Sequence, residues 1–138
     1  LNDLFTTIRV AQIHHTTDQT EGAPVKVTRI PNSSVFAGLE DRGTIASLNG
    51  ADIAMRGLRQ AVAGAESINT GIFECTAGSY RRIVMQPEVM HILQGHGRFT
   101  ADGEQPVEFA PGDTLFFAAN TQGLWEMPET MRKFYVIL

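Results

Sequence analysis

From residue 68 to residue 138 the chain never runs far without meeting a turn signal. Ala77-Gly78-Ser79, Gln86-Pro87, the Gly95/Gly97 pair, Asp102-Gly103, Pro111-Gly112, residues 120–123 and Pro128-Glu129 punctuate it. Between them lie short runs rich in apolar and β-branched residues, at 68–75, 80–85, 88–93, 98–100, 107–110, 114–118, 124–127 and 131–138. Breaks every ~8–12 residues between short strands point to an antiparallel sandwich or barrel. A parallel sheet needs helical crossovers, for which this half has no room. Two turns can be read in detail. Asp102-Gly103 is expected to take the positive φ angles of a two-residue hairpin turn. In Pro111-Gly112, proline presets the second position of a type II turn and glycine accepts positive φ at the third. The fold class is all-β.

The first half is less regular. Residues 25–30 alternate enough to be a strand, ended by Pro31-Asn32-Ser33. Residues 51–65 carry alanines that favour helix, but Gly57 and Gly64 interrupt them. Leu58, Gln60 and Val62 would share one strand face, so a strand is preferred over 58–62. At 138 residues the chain forms one domain and buries enough surface to need no staple. A net charge of -4, with acids and bases mixed, offers no basic stripe to a phosphate backbone, so nucleic acid is not an expected partner. No apolar run approaches the ~18 residues of a spanning helix, so no membrane is expected either. Cys75 is the single cysteine; it is read as a small buried apolar residue and suits a reducing compartment. The cytoplasm is the expected location.

The segments GIFECTAGSYRRIV, EVMHILQGHGRFTADG, FAPGDTLFFAAN and GLWEMPETMRKFYVIL, in that order, resemble the cupin superfamily. More narrowly they are similar to the subfamily of (S)-ureidoglycine aminohydrolase and EutQ-type cupin domains. The resemblance spans residues 71–138. It implies a cupin jelly-roll β-barrel (a double-stranded β-helix) whose two sheets close around a pocket. It also implies a homodimer. Residues 51–138 would form the barrel. Residues 1–50 would be an N-terminal extension with one or more strands packing on the barrel or on a partner.

Metal-binding cupins carry two histidines two residues apart, then a glutamate and a glycine, and in a second motif a later histidine. Glu88 stands at the glutamate position and Gly95 at the glycine. The histidine positions fall on Arg81 and Ile83 or on Arg82 and Val84, depending on the gap allowed. In the second motif Ala118 and Asn120 replace the usual proline and glycine, and Gly123 stands where the histidine would be. One ligand of four remains. His91 lies three residues after Glu88, an odd spacing that puts it on the opposite strand face. His96 sits between two glycines in a turn, and the adjacent His14 and His15 diverge in extended backbone. The expectation is a barrel without the histidine-ligated metal; the alternative is one divalent transition metal near Glu88.

With Glu88 inward, Met90 and Ile92 line the same face. Trp125 shares parity with Gly123, so its ring could fill the space of an imidazole and metal. The last strand puts Lys133, Tyr135 and Ile137 on one face; the subfamily resemblance favours Lys133 and Tyr135 as the functional pair. Parity leaves Arg81 and Arg82 undecided, because one residue of slip exchanges the faces. The expected ligand-binding set is Arg82, Glu88, Met90, Trp125, Lys133 and Tyr135, receiving a small polar molecule that bears both charge signs. A carboxyl group set among apolar side chains asks for a neighbouring cation, and so placed Glu88 is the candidate general acid or base. Against this stand two other readings. One is a metal-dependent enzyme acting on a ureido or amino compound, as in the aminohydrolases. The other is a non-catalytic dimerisation or partner-binding module, with Trp125 and the other aromatics simply core.

Overall fold

The computed structural model describes residues 26–138. All regular structure among them is β, in ten strands: β1 (Glu40–Ile45), β2 (Ile53–Arg59), β3 (Asn69–Cys75), β4 (Gly78–Val84), β5 (Glu88–Gln94), β6 (Gly97–Ala101), β7 (Val107–Phe109), β8 (Thr114–Phe117), β9 (Thr121–Met127) and β10 (Met131–Ile137). They form a six-stranded sheet in the order β1-β2-β3-β10-β5-β8 and a four-stranded sheet in the order β4-β9-β6-β7. Every pairing is antiparallel. Connections between the sheets (β3 to β4, β4 to β5, β5 to β6) make the jelly roll, and the inner faces of both sheets meet in one core.

Alternation builds that core. On β5 the fully buried Glu88, Met90 and Ile92 share a face, with Val89 and His91 on the other. On β9 the buried residues are Gly123, Trp125 and Met127. These meet Phe99, Phe109 and Phe117 from β6, β7 and β8, and Cys75 and Met131 from β3 and β10, the two middle strands of the six-stranded sheet. The thiol of Cys75 packs 3.4 Å from Met127 Sδ, as a small apolar side chain would.

Arg132 ties the segment before β1 to the outside of the barrel. It is 5 % exposed, and its Nη1 donates to the carbonyl oxygens of Ser33 and Phe36, each at 2.9 Å. Its Nη2 donates to Glu74 Oε2 at 2.9 Å, and Gln94 Nε2 donates to the Ser34 carbonyl. The neighbouring Lys133 points the other way, into the barrel. Alternation along β10 separates the two, and a bulge lies opposite them on β5, where Leu93 is the extra residue between Gln94, which faces Arg132, and Ile92, which faces Lys133.

The strands at 68–138 lie where the turn signals put them, with shifted ends. Four local expectations are corrected. Residues 26–30 form no strand, and residues 26–29 are exposed; Val25 and the histidines at 14 and 15 lie outside the described residues. The strand expected at 58–62 is instead β2, because Met55 to Arg59 pair with Cys75 to Gly71 and stop there. The Asp102-Gly103 hairpin is wider than two residues: β6 ends at Ala101, β7 begins at Val107, and only Gly103 takes positive φ. Glu104 N closes that turn onto the Ala101 carbonyl at 2.9 Å. The Pro111-Gly112 turn forms as expected, with Gly112 at φ 96° and Asp113 N donating to Ala110 O at 3.1 Å. Residues 121–123, expected as loop, belong to β9, held there by pairing of Thr121 with Val84 and Gly123 with Arg82.

Candidate functional site

The register of β4 decides between the two arginines. Tyr80, Arg82 and Val84 face inward, while Arg81 and Ile83 face solvent. Arg81 Nη2 holds Asp102 on the outer surface, 2.6 Å from Oδ2. Arg82 Nη2 instead reaches Glu88 Oε1 at 2.8 Å. The second carboxylate oxygen of Glu88 accepts from Lys133 Nζ at 3.0 Å. Glu88 and Lys133 are buried, at 2 % and 4 % exposure, whereas the Arg82 side chain is 27 % exposed and reaches solvent at the barrel end. A carboxylate in an apolar interior needs such partners, and here it has two.

Around Lys133 the walls are aromatic. Its Nζ lies 5.4 Å from the centre of the Phe73 ring, 5.8 Å from Trp125 and 5.9 Å from Tyr135, with Met90 Sδ at 3.6 Å. These ring faces attract a cation. Burial nevertheless drives the Lys133 ammonium down to about 8, aided by Arg82 and opposed by Glu88. Burial pushes the Cys75 thiol up to about 11 against the pull of Lys133. The Tyr80 phenol is also pushed up, by burial first and then by Cys75. Tyr135 is raised by burial while Arg59 and Arg42 oppose it.

Below the ion cluster the interior is filled. Trp125 has no exposed surface; it packs on Phe99 at 4.9 Å and on Phe109 and Phe117, each at 5.7 Å between ring centres. Phe99 and Phe117 meet edge to face at 5.0 Å. The indole Nε1 is buried and has no hydrogen-bond partner among the described residues. At Gly123 an added Cβ would come within 3 Å of both the Thr100 carbonyl oxygen and the Phe99 ring. The position that carries a histidine in metal-binding cupins therefore has no room for one.

These side chains do not fit a divalent metal. Both oxygens of Glu88 accept from cations, which would repel a dication, and among the described residues no imidazole faces the carboxylate. Among the described residues no group of three or more His, Cys, Asp or Glu side chains could hold a metal ion. His91 lies on the outer face, as its odd spacing requires, with Nδ1 2.8 Å from Thr114 Oγ1. His96 is exposed beside Glu129, Nδ1 to Oε1 being 3.1 Å.

The structure thus brings Arg82, Glu88, Met90, Trp125, Lys133 and Tyr135 to one interior, Met90 and Trp125 as its packed floor. Two surface clefts, of about 380 and 630 Å³, lie elsewhere: one beside Asp102 and Asn120, the other beside His96 and Glu126. Sequence reasoning missed four members of the site. Phe73 and Tyr80 flank Lys133 and Arg82. Asn69 Oδ1 accepts from the Tyr135 hydroxyl at 3.2 Å. Arg59 shares the inward parity of Ile53 and Gly57 on β2, and its charge acts on the Tyr135 phenol. Placing β2 five residues earlier would have exposed that parity.

The model of the EutQ-like cupin domain matches residues 62–135. The chain belongs to the EutQ-like cupin family. Solved structures agree on the fold. The EutQ protein of Clostridium difficile is 15 % identical with a TM-score of 0.57, the match covering 68 % of this EutQ-like cupin and 74 % of that chain. A protein of unknown function from Pseudomonas syringae is 18 % identical with a TM-score of 0.64, covering 72 % of this chain and 44 % of its own. Ectoine synthase from P. lautus is 14 % identical with a TM-score of 0.51, covering 59 % and 62 %. No curated protein matches the sequence of this EutQ-like cupin.

Proposed function

We propose that this EutQ-like cupin binds a small polar metabolite at the Arg82 end of its barrel, without a histidine-ligated transition metal. One observation carries the reading: where a metal-binding cupin would surround its glutamate with ion and imidazoles, Glu88 is clamped between Arg82 and Lys133 at 2.8 and 3.0 Å. A fixed carboxylate holding two cationic donors is a recognition device that needs no metal to be organised. Arg82 presents the remaining donors of its fork towards solvent, and Tyr135 supplies a hydroxyl. The packed aromatic floor limits the ligand to a small molecule.

For any chemistry on that ligand, Lys133 is better suited than Glu88 to move a proton. Its ammonium, at about 8, exchanges its proton close to neutral pH. Glu88 acts on it by position, through the hydrogen bond to Nζ.

The test has two arms. Elemental analysis of protein purified without chelator is expected to find Fe, Mn, Ni and Zn far below one equivalent. Near-stoichiometric metal would overturn the metal-free part of the proposal and favour a metal-dependent enzyme. A thermal-shift panel of small carboxylates, ureides and amino acids is expected to contain stabilising compounds, since ligand at a hundred times its Kd adds about 2.7 kcal/mol. Silence across the panel would leave a partner-binding module as the better reading.

A further inference from the structure

Resting on that reading, we infer that the ligand of the barrel end is an anion, and specifically a small carboxylate seated on Arg82. Two cationic donors, Arg82 and Lys133, converge on one carboxylate, so with Lys133 protonated the cluster holds one positive charge in excess. Lys133 is sealed from solvent, so the excess is felt at the open end, where Arg82 stands. Among the described residues no second carboxylate pairs with Arg82 or Lys133. Cys75 on β3, Tyr80 on β4 and Tyr135 on β10 also face the cluster; they are neutral near pH 7, and burial raises each of them further.

Hydrogen-bond capacity points the same way. Each Glu88 oxygen already accepts from a cation of the protein, so the carboxylate's charge is met from within the chain. Donors are in surplus. Arg82 uses Nη2 on Glu88 and makes no other protein hydrogen bond among the described residues, and its side chain is 27 % exposed. A ligand rich in acceptor oxygens and carrying negative charge satisfies both deficits at once. A planar carboxylate matches the guanidinium fork. The carboxylate is thus one half of the two-signed ligand expected from sequence.

The experiment is an NMR and calorimetric titration with matched probes: acetate and propionate, their amides, and ethylammonium. The carboxylates are expected to bind saturably and shift the Arg82 Nε and backbone amide resonances. The amides should bind about ten- to a hundredfold more weakly, the range of a charged hydrogen bond. Arg82→Gln should lose that preference and Arg82→Lys should keep part of it. Arg81→Gln, which alters only the outer pair with Asp102, should leave it intact. If Arg82→Gln unfolds, the resonance shifts in the wild-type chain still decide. Amides or ethylammonium binding at these resonances as tightly as carboxylates would overturn the anion assignment while leaving a metabolite-binding barrel in place. Carboxylates shifting only distant resonances would overturn it as well, and no response to any probe would overturn both.

Discussion

Replacing Lys133 by methionine isolates the cost of keeping one charge in the interior. Burial lowers the ammonium from the ordinary 10.5 to about 8. At about 1.4 kcal/mol for each pH unit, that fall amounts to about 3 kcal/mol. The folded chain releases this proton near pH 8 and the unfolded chain near 10.5. Between those values the unfolded state binds more protons, so stability rises with pH. Two groups then act in the opposite sense. Above pH 9 the unfolded Cys75 thiol ionises while the folded one resists to about 11, and Tyr80 follows above 10. Wild type should therefore gain about 1 kcal/mol from pH 8 to 9 and flatten or decline beyond. Lys133→Met should show no rise and only the decline. At pH 7 it should be at least as stable as wild type, because Arg82 still neutralises Glu88 one to one. Urea unfolding of both chains at fixed pH from 7 to 11 measures this directly. The difference between wild type and variant should climb by about 3 kcal/mol across the series. Parallel curves, or a methionine variant several kcal/mol weaker at pH 7, would refute the reasoning.

Two further outcomes follow from packing. Gly123→His, which restores the missing imidazole, should destabilise by about 1–3 kcal/mol and bind no Ni or Zn, because the Thr100 carbonyl and Phe99 ring occupy its space; tight metal binding on elemental analysis would contradict this. Arg132→Ala leaves Glu74 only its 4.0 Å pair with Arg56 and takes a donor from two carbonyl oxygens, and should cost about 1–3 kcal/mol in chemical denaturation while speeding amide exchange over residues 33–39.

Much of the barrel was legible because its strands are buried on one face and bounded by turn residues. With Glu88 taken as inward, parity alone put Met90 and Ile92 on its face and His91 on the other. Lys133 and Tyr135 share a face for the same reason, although that face became the inner one only through the subfamily resemblance. Local pattern failed where position depends on a distant partner. β1 is an exposed edge strand of mixed polarity with a bulge between Asp41 and Thr44, so it has no alternation to read. The choice of Arg82 over Arg81 needed the pairing with β9, since a one-residue slip exchanges the faces. Arg59 was missed because β2 was placed too late. Both oxygens of Glu88 meeting cations could not be foreseen, because Lys133 lies 45 residues away in sequence.

The bulge opposite Arg132 and Lys133 has a mechanical consequence. Two adjacent cations grip opposite sides of the central strand, one locking the preceding segment from outside and the other locking Glu88 from within. Sliding β10 by a single step would exchange them, thrusting an ammonium under the outer segment and a guanidinium into the aromatic chamber. The strand is pinned like a rivet headed at both ends, so a deletion or insertion of one residue between Pro128 and Arg132 should be far less tolerated than one in the loop at 102–106.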